Sequence, residues 1–265
     1  MGQRTTWIVQ QNYSVTSPTI NLLTEALADA DYPVRRVHVV PFSEELPQMP
    51  GEVEFPFILF GLTTLIKNAV ADPKWRQGIF FDAEKFAPCA YQDILGDLLL
   101  NSDMRVCTAR ELSQVDFGLD EKIFVRPNDD FKAFGGQVMT MGEYLDWYNL
   151  FKDADDMSIS RDTLMVYAAP KPIRREFRVH LVSGRVVGLS QYQPTAQAVL
   201  PFDVAEFAEH VAAHYSPADA FVLDIADTAD GLRVLEYNCI NGAGFYLANV
   251  RTIVRALSIF QEGKA

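Results

Sequence analysis

The sequence predicts an α/β (α+β) protein, with a small N-terminal parallel α/β layer followed by a larger α+β half. Three observations predict it. The first hundred residues alternate short apolar strands with amphipathic helices, the rhythm of βαβ units. Between about Leu100 and Glu121 the pattern changes to hairpins with helices between them. The chain then runs through two closely spaced strands, F-V-L-D-I-A and L-R-V-L-E-Y-N, into a last helix. A boundary near residue 105 therefore divides an N-terminal unit, 1–105, from a second unit, 106–265.

T-W-I-V-Q reads as the first strand. S-P-T-I-N-L-L-T-E-A-L-A-D-A opens on Ser17 as a cap with Pro18 at the first helical position, and sets Ile20, Leu23 and Leu27 on one face. V-R-R-V-H-V-V-P and F-P-F-I-L-F-G are further strands, the latter leading into a helix over T-T-L-I-K-N-A-V. No G-x-G-x-x-G accompanies these strands, so no dinucleotide site is expected there. G-I-F-F-D-A-E-K-F reads as a surface or interface segment.

In the second half, K-I-F-V-R-P is a strand leaving into the loop N-D-D-F-K-A-F-G-G. A helix near Gly142–Phe151 and a strand over T-L-M-V-Y-A-A-P follow. R-E-F-R-V-H-L-V-S-G-R-V-V-G-L-S-Q-Y is a hairpin turning at Ser183-Gly184. A helix near Asp203–His214, the closing strand pair and a C-terminal helix complete the order.

The chain has 265 residues, 49% of them hydrophobic and 22% charged, which suits a soluble globular protein. No apolar run approaches the ~20 residues that span a bilayer, and the N-terminus lacks a segment of signal-peptide length. Cys89, Cys107 and Cys239 are widely separated and odd in number. They indicate neither a disulfide framework nor a zinc site, and a reducing cytoplasm is the expected location. Cys239 reads as a small buried side chain rather than a nucleophile. The net charge of −12 argues against nucleic-acid binding. Its distribution says more: from Arg126 to Arg185 nine Lys/Arg balance nine Asp/Glu, so the whole excess lies elsewhere. A locally basic cleft on an acidic protein suits an anionic small ligand.

The closing strands carry the most chemistry. A five-residue turn, D-T-A-D-G, pairs Ala226 with Leu232 and puts Asp224 opposite Val234, on the face of Glu236 and Asn238. Phe221, Leu223, Ile225, Leu235 and Tyr237 then share the core face. Two carboxylates and an amide so placed suit a hard cation such as Mg²⁺. On spacing alone they are equally a strand-end aspartate, a solvated glutamate and a capping asparagine.

Arg126, Lys132 and the pair Gly135-Gly136 mark a loop whose backbone can approach an anion closely, though it is not a Walker loop and a solvated turn has the same signature. Along R-R-E-F-R-V-H-L-V, Phe177, Val179 and Leu181 face the core, while Glu176, Arg178 and His180 face the other way. Arg178 there could grip a phosphate with two N–H groups, or lie on an ordinary exposed face. Lys171, between two prolines, sits on a stiff connection. His210 and His214 are four apart on a helix, but no third ligand accompanies them, so they read as surface residues.

Taken in order, these pieces resemble the ATP-grasp superfamily, most closely a branch found in bacteria and their phages. The resemblance covers about Lys122 to Arg255, and the first hundred residues look like the small α/β domain that precedes it. It implies an ATP-grasp fold in which two α+β subdomains clasp the nucleotide. It implies further that Asp224, Glu236 and Asn238 hold Mg²⁺ ions bridging the ATP phosphates. Arg126 falls where the family contacts the phosphates, and the loop of Lys132, Gly135 and Gly136 would cover them. M-V-Y-A-A-P-K-P would be the adenine-binding hinge with Lys171 near the nucleotide, and Glu176 and Arg178 match the acidic and basic positions of the next strand. Many members carry an arginine two residues before the metal-binding aspartate, where this chain has Val222; Arg178 or Arg126 would then take its catalytic work.

The activity so implied is an ATP- and Mg²⁺-dependent carboxylate–amine or carboxylate–thiol ligase. It would act through an acyl phosphate on a small carboxylate, an amino acid or a peptide, with neither nucleic acid nor membrane as partner. A kinase on the same fold, or a nucleotide-binding module without turnover, are the alternatives. Oligomeric state is not indicated.

Overall fold

The computed structural model describes residues 3–11, 17–40, 45–49, 51, 54–129, 134–153, 159–197 and 202–265. Three sheets organise them. The first is parallel, in the order β2-β1-β3, from Thr6–Gln11 (β1), Val34–His38 (β2) and Phe57–Phe60 (β3). Helix α1 (Pro18–Asp29) connects β1 to β2, and α2 (Thr63–Val70) leaves β3. Pro18 sits at the first turn of α1, where a missing N–H costs nothing, and Leu23 and Leu27 are buried as their spacing predicts.

Short helices α3 (Pro73–Arg76), α4 (Ala83–Phe86) and α5 (Pro88–Leu95) carry the chain to the second half. Between α3 and α4 the segment G-I-F-F departs from the expectation of a surface strip. Ile79, Phe80 and Phe81 are all buried, because Gly78 lies against β3, where Leu59 N–H donates to its carbonyl. The aromatic side chains therefore fill the core beside that edge.

An antiparallel sheet follows, in the order β4-β7-β5-β6: β4 is Arg105–Thr108, β5 Lys122–Pro127, β6 Gln137–Thr140 and β7 Leu164–Ala168. Helices α6 (Ala109–Leu112) and α7 (Met141–Phe151) pack on it. Both open on a reciprocal cap, Thr108 with Glu111 and Thr140 with Glu143. The Tyr144 hydroxyl on α7 donates to the Ala109 carbonyl at 2.8 Å, tying the two helices together.

The third sheet is antiparallel, in the order β11-β10-β8-β9: β8 is Arg175–Val182, β9 Arg185–Gln193, β10 Ala220–Thr228 and β11 Gly231–Asn238. Helix α8 (Phe202–His214) covers one face, where Phe177, Val179, Leu181, Phe221, Leu223, Ile225, Val234 and Tyr237 join the largest core. The β8–β9 hairpin turns at Ser183-Gly184, with φ of +51° and +72°, the left-handed pair a tight two-residue turn needs.

Helix α9 (Val250–Glu262) returns to the N-terminal layer. Its Ile253, Val254 and Leu257 pack among Trp7, Leu23, Leu27 and Phe60, and with Val182, Ala220 and Val222. The parallel sheet and the third sheet thus share a core built around α9. No helix among the described residues is long and apolar enough to cross a membrane.

Candidate functional site

The register of β10 and β11 differs from the five-residue turn expected of the sequence. Thr228 pairs with Gly231 across a two-residue turn, and a bulge then interrupts the ladder beside Ile225. The turn closes tightly because Gly231 adopts φ +100° and the Thr228 hydroxyl donates to the Gly231 carbonyl at 2.8 Å. The bulge absorbs the resulting offset. Val234, opposite Ile225, takes the core position expected of Leu235, and Leu235 lines the cleft instead. Asp224 stands directly opposite Glu236 rather than Val234.

Around that pair the carboxylates are densely engaged. Arg178, opposite Asp224 on β8, grips it twice: Nε donates to Oδ1 at 2.9 Å and Nη2 to Oδ2 at 2.7 Å. Asn238 Nδ2 donates to the same Oδ2 at 3.1 Å. Glu236 receives Arg126 Nη1 at 2.5 Å, from β5 of the other antiparallel sheet. Side-chain exposure is 2% for Asp224 and 6% for Arg126, so these are charge-assisted bonds formed largely out of water. Burial by itself would lower the Arg178 pKa, but the Asp224 carboxylate more than reverses this and holds the guanidinium charged.

Two tyrosines flank Arg178. The Tyr192 and Tyr246 rings stack with centroids 4.9 Å apart, and the Arg178 guanidinium lies 5.6 and 5.1 Å from them. Burial, then the Asp224 charge, then a bond to Glu176 all raise the Tyr192 pKa, so its phenol keeps its proton. Tyr246 belongs to the glycine-bearing turn after β11, and that turn has a spatial reason. A Cβ on Gly242 would come within 2.6 Å of the Gly61 carbonyl oxygen, and one on Gly244 would lie 3.7 Å from both Arg178 Nη1 and Thr19 Oγ1. The turn thus threads between β3, the start of α1 and Arg178.

A cleft of about 280 Å³ runs between the two antiparallel sheets and ends at Arg126 and Glu236. Phe124, Val138, Ile173 and Leu235 give it apolar walls, while Lys171 and Glu176 stand at its polar side. Lys171 donates to the Ala169 carbonyl at 3.1 Å and to Asn101 Oδ1 at 3.4 Å, and pairs with Asp103. Of the residues expected here, Arg126, Gly136, Lys171, Glu176 and Glu236 line the cleft, while Arg178, Asp224 and Asn238 join it through the ion pairs just described. Gly136 packs so close to Phe124 that a Cβ would meet the ring at 2.8 Å, whereas Gly135 faces open space. Lys132 lies outside the described residues.

His180 corrects the expectation of an exposed imidazole. It is fully buried, stacks on Phe245 at 5.6 Å, and neither ring nitrogen has a hydrogen-bond partner among the described residues. The cause is that the closing turn folds Phe245 over that end of the sheet. Its pKa falls to about 3, first through burial and then through Arg178. His210 and His214 are exposed, as expected, and the described residues hold no cluster of three His, Cys, Asp or Glu fit for a metal. Sequence reasoning missed Asn101, Asp103, Tyr192 and Tyr246. Only the acidic Asp103, in a stretch taken for a boundary, carried any signal.

Residues 70–257 match a family of ATP-grasp domains, the third family of its clade. The chain belongs to the ATP-grasp superfamily. Three solved structures show the same fold along nearly all of it. The RimK domain ATP-grasp protein of Sphaerobacter thermophilus DSM 20745 aligns at 13% identity with a TM-score of 0.56, covering 97% of each chain. D-alanine–D-alanine ligase of Bacillus anthracis aligns at 12% identity and TM-score 0.56, covering 98% of this chain and 97% of its own. The ATP-grasp ligase PsnB, complexed with precursor peptide PsnA2 and AMPPNP, aligns at 13% and 0.57, with 97% of each chain covered. No curated protein matches the chain.

The ATP-grasp site also meets a chemical test for Mg²⁺. Asp224 and Glu236 face each other across paired strands with Asn238 bonded to Asp224, a hard-oxygen set of the type that ion prefers.

Proposed function

We propose that this ATP-grasp chain is an ATP- and Mg²⁺-dependent ligase that joins a carboxylate to an amine or thiol through an acyl phosphate. The observation that carries the proposal is the convergence of Asp224, Glu236 and Asn238 with Arg126 and Arg178 at the closed end of a part-apolar cleft.

The apolar walls around Phe124, Val138 and Leu235 suit a purine, and the polar side with Lys171 and Glu176 suits its ribose and phosphates. Asp224, Glu236 and Asn238 would hold Mg²⁺, which neutralises phosphate charge. Arg126 and Arg178 place guanidinium groups where negative charge spreads over the transferring phosphoryl group. A substrate carboxylate oxygen attacks the γ-phosphorus as the bond to ADP breaks, giving an acyl phosphate. The lone pair of an amine or thiol then adds to the acyl carbon, phosphate leaves, and the nucleophile gives up its proton. The protein needs no covalent intermediate of its own; it aligns and shields. Val222 is fully buried among apolar neighbours, so the charge many relatives place there falls to Arg178.

The precursor peptide bound by PsnB and the ligase chemistry named for the Bacillus anthracis protein support a peptide or other small carboxylate as substrate. Thermal shift against a nucleotide panel with Mg²⁺ tests binding, with stabilisation by ATP or ADP expected. Product analysis then tests the reaction. ADP, phosphate and an amide or thioester mark a ligase, a phosphorylated acceptor marks a kinase, and binding without turnover marks a nucleotide-binding module.

A further inference from the structure

We propose that Arg126 and Arg178 are built-in counter-ions of the metal-binding carboxylates, and that the Arg126–Glu236 pair latches the cleft until nucleotide and metal arrive together. The inference rests on the nucleotide–Mg²⁺ reading of the site and adds how binding there is regulated.

Both oxygens of Asp224 are engaged, Oδ1 by Arg178 Nε and Oδ2 by Arg178 Nη2 and Asn238 Nδ2. Glu236 Oε2 is engaged by Arg126 Nη1. A divalent ion reaches these oxygens only by displacing a guanidinium or sitting against one. Displacement alone is unfavourable. The Arg126 and Arg178 side chains are 6% and 13% exposed, and a cation that loses its partner in such a place is left charged and poorly solvated. Metal without nucleotide is therefore resisted.

Nucleotide without metal meets the opposite difficulty, because its phosphates would enter beside two carboxylates. When both arrive the exchange balances: the ion takes the carboxylates, and the phosphates take the arginines. Arg126 is fitted for this change of partner. Its Nε and Nη2 also donate to the Pro127 and Asp129 carbonyls, at 3.3 and 3.4 Å, which keeps the guanidinium at the cleft end while Nη1 is released. The pair also joins β5 of one sheet to β11 of the other, so its exchange removes a bond between the two sheets that form the cleft. Metal and nucleotide then bind with positive coupling, a reciprocal free energy between two ligands at one site.

The probe is Mn²⁺, titrated by calorimetry into the 265-residue chain with and without AMPPNP. In the wild type, Mn²⁺ should bind roughly tenfold or more tightly with AMPPNP than alone. Arg178→Gln and Arg126→Gln should each bind Mn²⁺ alone roughly tenfold or more tightly than the wild type, because a carboxylate is uncovered. Equal affinity for Mn²⁺ alone in the wild type and both variants overturns the latch. Should the variants not fold, the wild type decides through its arginine Nε–H NMR signals. These should persist with Mg²⁺ alone and shift when AMPPNP is added with it; signals unmoved in the full mixture overturn the inference. If AMPPNP gives no heat at all, the ligase reading fails, and the titrations without nucleotide still report whether the arginines guard the carboxylates.

Discussion

Arg126 and Glu236 meet at 2.5 Å across the cleft, one from β5 and the other from β11, with side chains 6% and 18% exposed. So short a bond, so little solvated, makes each partner depend on the other. Glu236→Gln keeps an oxygen acceptor for Arg126 but removes a charge from the metal set, and ATP turnover should fall by two orders of magnitude or more with the fold retained. Glu236→Ala removes the acceptor too and strands a buried guanidinium, at a cost of roughly 3 kcal/mol in stability. Turnover assays paired with thermal melts separate the two effects. Wild-type turnover in the Gln variant would remove Glu236 from the metal site.

Gly136 offers a second handle on the nucleotide cleft. A methyl group there would meet the Phe124 ring at 2.8 Å and push it into the cavity that both residues line. Gly136→Ala should raise the KM for ATP about tenfold by narrowing the apolar slot, an expected penalty of about 1.4 kcal/mol, while the melting temperature changes little. Gly135→Ala, which meets nothing within 4 Å, is the matched control and should leave KM unchanged. Equal effects from the two would detach the glycine pair from nucleotide binding.

Much of the site could be read in the chain because alternation along a strand is a local property. Asp224, Glu236 and Asn238 share a region because of their spacing on β10 and β11, and Glu176 and Arg178 point together on β8. What alternation could not supply was the bulge, which depends on how tightly Gly231 lets the turn close. That single unread residue moved Leu235 from core to cleft. His180 likewise sits where alternation puts it, but Phe245, from a turn 65 residues on, covers it. The N-terminal layer was legible as β1, α1, β2 and β3. Its closure by α9 was not, because packing between distant elements leaves no periodic trace.

Asn241 shows that kind of long-range closure, and its loss should be costly. Its side chain is 1% exposed and satisfies three backbone groups beside β3. Nδ2 donates to the Leu59 and Gly78 carbonyls at 2.6 and 3.0 Å, and Oδ1 accepts the Phe80 N–H at 2.7 Å. Asn241→Leu keeps the volume and leaves all three without that partner. With a penalty of about 1 kcal/mol or more for each buried group, stability should drop by about 3 kcal/mol or more. In a chain of this size that corresponds to a melting temperature lower by about 6–12 °C. A variant that melts within a degree or two of the wild type would show that water replaces the amide, and that the tie between the closing turn and the N-terminal sheet is weak.

His180 sets the behaviour in acid. Its pKa in the folded chain lies at about 3, against 6.5 for an ordinary histidine, because burial and then Arg178 disfavour the imidazolium. The unfolded chain therefore binds a proton between those values that the folded chain refuses. Stability from this residue is complete above pH 6.5 and is lost progressively as the pH falls toward 3. The groups nearest it, Phe245 stacked on its ring and Val222 and Gly188 opposite it on β10 and β9, do not titrate in that range. At pH 5 the loss should be about 2 kcal/mol. His180→Leu cannot take up the proton, so the fall in its melting temperature from pH 7 to pH 5 should be smaller than the wild type's by about 4–8 °C. The comparison is made between the two pH slopes, which cancels any change in packing. Parallel slopes would show that the imidazole reaches solvent or a proton partner in the folded protein.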